Sequence, residues 1–128
     1  MANGEWLVEP RIVRTIGTRA APWRAARRRL GWSRDTLGII RAGMRAVVAG
    51  PEGTGHGAFS PRVAISGKTG TAQTHVPGQT HGWFVGFCPS EAPRAAMAIV
   101  AEFGGSGGGL PAEIARAVCE YLVAAEPR

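Results

Sequence analysis

The chain has 128 residues, 45% of them hydrophobic, which is enough for one small domain with a packed core and excludes disorder or two independent domains as starting hypotheses. The formal net charge of +6 raises the expectation of a polyanionic partner, but it does not choose among nucleic acid, anionic lipid and acidic polymer. No apolar run approaches the roughly 18 residues of a membrane span, and Met1 to Gly4 do not begin a signal peptide, so we expect no export or anchoring signal here.

The first 34 residues are predicted to be extended or irregular. Trp6 to Ile16 alternate loosely and contain Pro10, which indicates extended structure with a turn rather than a helix. Thr18 to Arg34 predict an exposed loop whose basic and aromatic residues suit nucleic acid or anionic headgroups. The residues concerned are Arg19, Arg24, Arg27, Arg28, Arg29, Arg34, Trp23 and Trp32. A solvated loop without a ligand is the competing interpretation, and we favour it.

An amphipathic helix is predicted from Arg34 to Ala49. Ser33 is suited to cap its N-terminus, Asp35 is favourable in its first turn, and Gly50-Pro51 ends it. The apolar face of this helix comprises Leu37, Ile40, Met44, Val47 and Val48. Glu52 to Pro61 then form a glycine-rich loop.

Three strands with short connections predict an antiparallel meander. The predicted strands span Val63–Thr71, His81–Cys88 and Arg94–Glu102, and the third is apolar on both faces, which indicates a sheet covered on both sides. After the glycine tract Gly104–Gly109, a closing helix over Pro111–Ala125 should lie on the sheet. Its predicted apolar stripe comprises Ile114, Val118, Tyr121 and Leu122. The predicted fold is α+β, a three-stranded antiparallel sheet with flanking helices.

The chemically informative segment is Ser66 to Gln73, which reads SGKTGTAQ. It contains Lys68, the only lysine, in the middle of a strand and beside glycine. Glycines let a ligand approach a strand closely, and a buried lysine, unlike arginine, can change its protonation state. An exposed edge lysine that discourages aggregation is the competing interpretation. A phosphate-binding loop is disfavoured because Arg62 stands where that motif requires glycine.

Several short segments spread over nearly the whole chain, Lys-Thr-Gly among them, carry a resemblance to a known family. They are Ala2-Asn3-Gly4, Val8-Glu9-Pro10-Arg11, Gly43-Met44, Val47-Val48, Gly53-Thr54-Gly55, Gly67 to Gln73, His81 to Phe87, Pro89, Glu102 and Pro111 to Leu122. Lys-Thr-Gly is similar to the third signature of serine penicillin-binding proteins and β-lactamases, which accompanies Ser-x-x-Lys and Ser-x-Asn. Together these motifs resemble the C-terminal part of the transpeptidase domain of monofunctional (class B) penicillin-binding proteins, most like the elongation type.

The resemblance implies a partial transpeptidase fold and a role in cross-linking peptidoglycan stem peptides, with acylation by β-lactams. It also implies that Lys68 assists proton transfer and anion recognition, and that the Thr69 and Thr71 hydroxyls bind a carboxylate. The Thr71 N–H would donate to the oxyanion, and Gly70 would let the substrate lie close. Lys68 and Thr71 are therefore the catalytic candidates, and Thr69, Gly70 and Thr71 the substrate-binding ones. The family would place the protein at the periplasmic face of the cell membrane.

The other two signatures are absent from the 128 residues. Ile65 stands three positions before Lys68, and Met1 stands two positions before Asn3, the only asparagine. We therefore interpret residues 1–128 as a single partial domain whose partner is the N-terminal half of the transpeptidase domain. Alone it should not form an acyl-enzyme. It would reach a membrane only through an anchor outside this chain.

Weaker expectations concern the histidines, cysteines and tryptophans. His81 is interpreted as structural and Trp83 as core packing; the histidines lack metal-ligand spacing, so neither a metal nor a cofactor is expected. Cys88 and Cys119 are interpreted as buried small side chains, which pair only if the fold brings them together.

The alternative function is a non-catalytic basic module that binds nucleic acid or acidic polymer through the Arg19–Arg34 loop. Under the favoured interpretation no nucleic-acid partner is expected.

Overall fold

The structure, a computed structural model, describes residues 1–9, 12–21 and 26–125. Within these ranges the chain forms seven strands and two α-helices. They are β1 (Trp6–Val8), β2 (Thr15–Ile16), β3 (Arg19–Ala20), β4 (Arg27–Arg29), α1 (Arg34–Ala49), β5 (Ser66–Gln73), β6 (Thr80–Cys88), β7 (Ala95–Ala101) and α2 (Leu110–Ala124). A short 3-10 turn, His56–Ala58, precedes β5. The predicted α+β fold, an antiparallel sheet with flanking helices, is confirmed.

Two short antiparallel ribbons form the N-terminal segment, in which β1 pairs with β4 and β2 with β3. All four strands are exposed. Strands β3 and β4 lie where the sequence predicted only a loop, because β4 is a run of three arginines without the apolar alternation that identifies a strand. Pro10, Arg11, Trp23 and Arg24 lie outside the described residues.

Helix α1 has the predicted bounds, Arg34–Ala49. The predicted N-cap is confirmed, since the Thr36 N–H donates to Ser33 Oγ at 3.0 Å. The helix packs against β5, and Arg45 Nη1 donates to the Ile65 carbonyl oxygen at 3.2 Å, just before that strand begins. Neither of the two described helices has the length and apolar character that crossing a bilayer requires.

Strands β5, β6 and β7 form the predicted antiparallel meander, with β6 in the centre. Strand β5 begins at Ser66 rather than at Val63, and it continues to Gln73. Val63 and Ile65 are buried in the hydrophobic core without being part of the strand ladder. Their apolar character therefore predicted correctly that they are buried, but it wrongly predicted that they belong to the strand.

Helix α2 packs on the face of the sheet that carries Gly82, Phe84 and Gly86. The Phe84 side chain is fully buried there. A Cβ at Gly86 would lie 2.8 Å from the Phe84 ring, and one at Gly82 would lie 2.9 Å from Pro111 Cγ in α2. These glycines therefore form the hollow that admits the aromatic ring and the first turn of the helix. We call this side of the sheet the covered face.

The predicted apolar stripe of α2 was wrong. Its four residues, Ile114, Val118, Tyr121 and Leu122, are all exposed. The residues of α2 that are buried are instead Pro111, Ala112, Ala115 and Cys119. Small side chains let the helix approach the covered face closely, and the large apolar side chains are then left on its outer side.

The opposite side of the sheet is open over β6 and β7. In the middle of these strands four apolar side chains are exposed, namely Trp83, Val85, Ala98 and Val100; beyond them Ala96 is also exposed, whereas its partner Phe87 is buried. The register places Gly70, Trp83 and Val100 in one row and Lys68, Val85 and Ala98 in the next. The expectation that Trp83 packs in the core is wrong, since it is 43% exposed. In β7, exposed and half-buried residues alternate instead of being covered on both sides. We call these four residues the open face.

Candidate functional site

The Lys-Thr-Gly segment lies on β5, an edge strand of the three-stranded sheet. Strand β6 pairs with one side of β5, so the backbone groups on its other side are not used by the ladder. Burial falls along the strand, from buried Ser66 and Gly67 to exposed Thr71, Ala72 and Gln73. The sequence thus anchors the start of β5 in the core and presents its second half to solvent.

Lys68 extends into an open groove between the C-terminal half of α1 and β5. The groove has a volume of about 440 Å³, and Val47, Gly53 and Thr54 also line it. Lys68 Nζ donates to the carbonyl oxygen of Thr69 at 2.6 Å. Within the described part of the chain Lys68 has no salt bridge. The ammonium group is therefore available to an anionic ligand in this groove.

Thr69 and Thr71 differ in what their hydroxyls contact. Thr69 Oγ1 lies 2.7 Å from Thr54 Oγ1, so a hydrogen bond joins β5 to the loop after α1. That loop is fixed in turn, because the Gly55 N–H donates to the Val47 carbonyl oxygen at 2.8 Å. The exposed Thr71 hydroxyl makes no hydrogen bond with any described residue. Thr71 is therefore the threonine with a free hydroxyl, whereas Thr69 is also structural.

The glycine tract packs directly against β5. Gly107 is buried, and a Cβ there would lie 2.8 Å from the Gly70 backbone nitrogen. A Cβ at Gly57 would lie 2.6 Å from the Gly108 carbonyl oxygen, which shows that the tract also meets the 3-10 turn. Only glycine fits this close backbone approach. The run of glycines was the signal for it, although the sequence could not identify the partner.

The histidines have local structural contacts. His81 Nδ1 accepts a hydrogen bond from the Phe103 N–H at 3.0 Å, and the two rings lie 5.1 Å apart. His56 Nε2 lies 2.7 Å from the Gly50 carbonyl oxygen. The structural interpretation of His81 thus agrees with its contacts. Among the residues that the structure describes, no group of three or more His, Cys, Asp or Glu side chains could hold a metal ion.

The basic ribbon of β1 and β4 is separate from β5 in the sheet arrangement. Two guanidinium groups lie over the Trp6 ring, with Arg27 at 4.9 Å and Arg29 at 5.9 Å from the ring centroid. Arg29 also forms a salt bridge with Glu5. Arg28 is exposed and has no such partner among the described residues. The ribbon is therefore a basic surface organised around one indole ring.

Comparison with known proteins gives one consistent family. The penicillin-binding protein transpeptidase domain matches residues 1–120. The chain is 40% identical over 77 residues to peptidoglycan D,D-transpeptidase PbpA of Mycobacterium tuberculosis, a match that covers 52% of this chain and 15% of that protein. It is 39% identical over 83 residues to peptidoglycan D,D-transpeptidase MrdA of Acinetobacter baumannii, covering 54% of this chain and 12% of that protein. The chain thus spans about 15% or less of the length of these relatives.

Two solved structures are similar over almost the whole chain. PBP2 of Pseudomonas aeruginosa in complex with WCK 5153 has a TM-score of 0.76 and 34% identity, covering 98% of this chain and 27% of that one. Penicillin-binding protein A from M. tuberculosis, in an imipenem acyl-enzyme complex, has a TM-score of 0.70 and 30% identity, covering 95% of this chain and 28% of that one.

Proposed function

This chain belongs to the transpeptidase-domain family of the penicillin-binding proteins, and from that premise we propose that it forms the Lys-Thr-Gly wall of a peptidoglycan D,D-transpeptidase site that β-lactams also occupy. One observation carries the proposal: beyond its buried start, edge strand β5 combines an ammonium without a salt bridge to any described residue, a hydroxyl without a hydrogen bond to any described residue, and a glycine. These groups belong to Lys68, Thr71 and Gly70. The imipenem acyl-enzyme of a structural relative supports the choice of ligand.

The residue roles follow from the chemistry of acyl transfer. Lys68 Nζ takes part in proton transfer and attracts the substrate carboxylate. The Thr71 hydroxyl binds that carboxylate, and the Thr71 N–H donates to the oxyanion; loss of such a donor slows catalysis by roughly 10²–10³-fold. Thr69 keeps β5 in place through its bond to Thr54 and adds a second hydroxyl. Gly70 lets the peptide lie against the strand.

The nucleophile comes from a segment outside these 128 residues. No serine stands three positions before the single lysine. Ser60 and Ser66 are both buried, Ser60 donating to Glu120 Oε1 at 2.8 Å and Ser66 to Ser90 Oγ at 2.9 Å. Neither hydroxyl is presented to the groove of Lys68. Nucleophilic catalysis therefore requires a serine with its own base, supplied by Ser-x-x-Lys elsewhere.

The open face is the surface on which we propose that this segment packs. Lys68 lies in the same row of side chains as Val85 and Ala98, so a segment that covers these residues comes close to the ammonium group. The N-terminal half of the transpeptidase domain is the proposed occupant. The chain accounts for only 27% of the Pseudomonas PBP2 chain, and the relative therefore has ample further polypeptide for this purpose. The assembled site would work at the periplasmic face of the membrane.

A labelled penicillin tests the proposal. The chain is incubated with the label alone, and then with the label and a separate transpeptidase segment that carries Ser-x-x-Lys and Ser-x-Asn. Intact-protein mass spectrometry should find no adduct on the chain, and an adduct on the serine of the added segment. Lys68→Arg keeps the charge but not the ability to share a proton, so acylation should slow by roughly 10²-fold or more.

Thr80→Val, on the neighbouring strand, is the control for Thr71→Val. Only the Thr71 variant should weaken the capture of the label. An adduct on Ser60 or Ser66 of the isolated chain would contradict the assignment of the nucleophile. Acylation of the added segment at an equal rate with and without this chain would contradict the role of β5.

A second candidate function, polyanion binding through the Arg19–Arg34 segment, rests on the distribution of charge. Residues 1–34 hold eight arginines and two glutamates, so the whole net charge of +6 lies there, and the seven basic and seven acidic residues that follow cancel. Retarded DNA migration that disappears in Arg27→Gln/Arg28→Gln/Arg29→Gln would favour this function. Under the transpeptidase proposal, the DNA migrates equally far in the presence of the wild-type chain and of this variant.

A further inference from the structure

Cys88 and Cys119 meet in the layer between the covered face and α2. Cys88 ends β6 and shares its face with Phe84, because alternate residues of a strand point to the same side. Cys119 follows Ala115 by one helical turn, on the buried side of α2. The two cysteines are 2% and 0% exposed and belong to one core cluster. Both thiols are free in the structure.

Contacts of Met97 show where the sulfur atom of Cys119 lies relative to the sheet. Cys119 Sγ is 4.0 Å from Met97 Sδ. Met97 pairs with Gly86, and Ala95, two positions earlier on the same strand, pairs with Cys88. Met97 and Cys88 are therefore diagonal neighbours on the covered face, and Cys119 comes down beside both.

Burial raises the pKa of the Cys119 thiol well above its usual range, and a hydrogen bond with the adjacent Cys88 thiol raises this pKa further. A thiol is nucleophilic only as thiolate, so Cys119 does not react readily while α2 is closed on the sheet, and burial shields Cys88 from reagents. The second half of α2 is, however, exposed on its outer side and ends at Ala124. Helix ends open locally at low cost in free energy, and such opening would present Cys119 to a reagent.

We propose that Cys88 and Cys119 are an oxidisable pair that forms an intramolecular disulfide between β6 and α2, by exchange with a disulfide-bearing oxidant. One thiolate attacks the S–S bond of the oxidant, forming a mixed disulfide and releasing one oxidant thiol. The second thiolate attacks the protein sulfur of that mixed disulfide and releases the other oxidant thiol. Two S–H bonds of the chain become one S–S bond, and the two protons and two electrons pass to the oxidant.

The disulfide acts at a distance on the Lys-Thr-Gly strand. Helix α2 begins at Leu110, directly after the glycine tract whose Gly107 lies against Gly70. A covalent link at Cys119 limits the movement of α2 away from the sheet, and so holds the tract in place beside β5. The supply of an oxidant in the cell rests on the proposed periplasmic location, whereas the chemistry of the pair does not.

The test uses the whole chain, reduced and then incubated with oxidised glutathione. Intact-protein mass spectrometry should find a loss of two hydrogens without a glutathione adduct, and a non-reducing peptide map should join the peptide of β6 to that of α2. Closing a loop of about 30 residues should raise Tm by roughly 10 °C. Reductant should reverse the rise, and oxidation should slow amide exchange in Gly104–Gly109.

Cys88→Ala and Cys119→Ala are the matched controls, and each should keep one thiol or one glutathione adduct with no rise in Tm. Met97→Leu keeps the volume and both cysteines, and it should still form the link. If an alanine variant fails to fold, alkylation of the oxidised wild-type chain in denaturant counts the remaining thiols. Two free thiols, two glutathione adducts or only disulfide-linked dimers would overturn the proposal.

Discussion

The covered and open faces belong to the same sheet but differ in how far their side chains are buried. On the covered face, Phe84 is fully buried because glycines beside it leave a hollow and small residues of α2 close over it. On the open face, Trp83 is the residue that precedes Phe84 in the same strand, and it is 43% exposed. Close packing therefore depends on small residues around a large one, and hydrophobicity alone does not bury a side chain.

Truncating the two adjacent aromatic residues in turn tests this difference between the faces most directly. Phe84→Ala should lower the free energy of unfolding by about 3–5 kcal/mol, because it removes a fully buried ring and leaves a cavity. For a small core this is enough to unfold much of the population. Trp83→Ala should cost about 1 kcal/mol, since the indole already contacts solvent. Urea unfolding followed by circular dichroism measures both.

Comparable losses in the two variants would mean that the open face is covered in solution, for example by self-association. Repeating the unfolding measurement at several protein concentrations separates these cases. If the proposed N-terminal half of the transpeptidase domain packs on the open face, adding it should make Trp83→Ala markedly more costly and change the effect of Phe84→Ala little.

A second prediction applies the comparison to the two sides of α2. Ala115→Leu forces three extra carbon atoms into the contact between α2 and the sheet, so it should destabilise the fold by about 1–3 kcal/mol. Ala117→Leu makes the same change on the exposed side and should stay within about 0.5 kcal/mol of the wild type. Thermal melts of both variants provide the measurement. If Ala117→Leu were the more damaging of the two, the orientation of α2 would be wrong.

The error in α2 shows where sequence reasoning ends. Residues Ile114 and Val118 formed the more hydrophobic stripe, and the sequence therefore assigned them to the sheet. The sheet, however, presents Gly82 and Phe84, and only a side with alanine and cysteine can approach that surface. Choosing the buried side requires the shape of the partner, which is a tertiary property.

Local signals fared better. The bounds of α1 could be predicted because Ser33 and Gly50-Pro51 specify its ends through the backbone itself. The candidate site could be located on β5 from Lys68 and its glycines, since their types are unusual for a strand. The bond from Thr69 to Thr54 and the packing of Gly107 on Gly70 could not be predicted, because each joins segments that only the fold brings together.

The smallest expected effect on stability concerns the open face alone. Val85→Lys/Val100→Lys places two charges on neighbouring strands, where both side chains are already exposed, so the free energy of unfolding of the monomer should change by about 0.5 kcal/mol or less.

The effect of this double variant on association of the chain should be much larger. Four exposed apolar side chains on adjacent strands form a surface for contact with another copy, and β7 offers an edge with which no strand of the described residues pairs. We therefore expect the chain alone to dimerise or aggregate and the double variant to be monomeric in light scattering. Gln73→Lys/Gln79→Lys, at exposed polar positions outside the open face, is the control with the same added charge, and it should leave the association unchanged. A monodisperse wild-type monomer would remove the open face as a contact surface, and equal rescue by the control would assign the association to net charge.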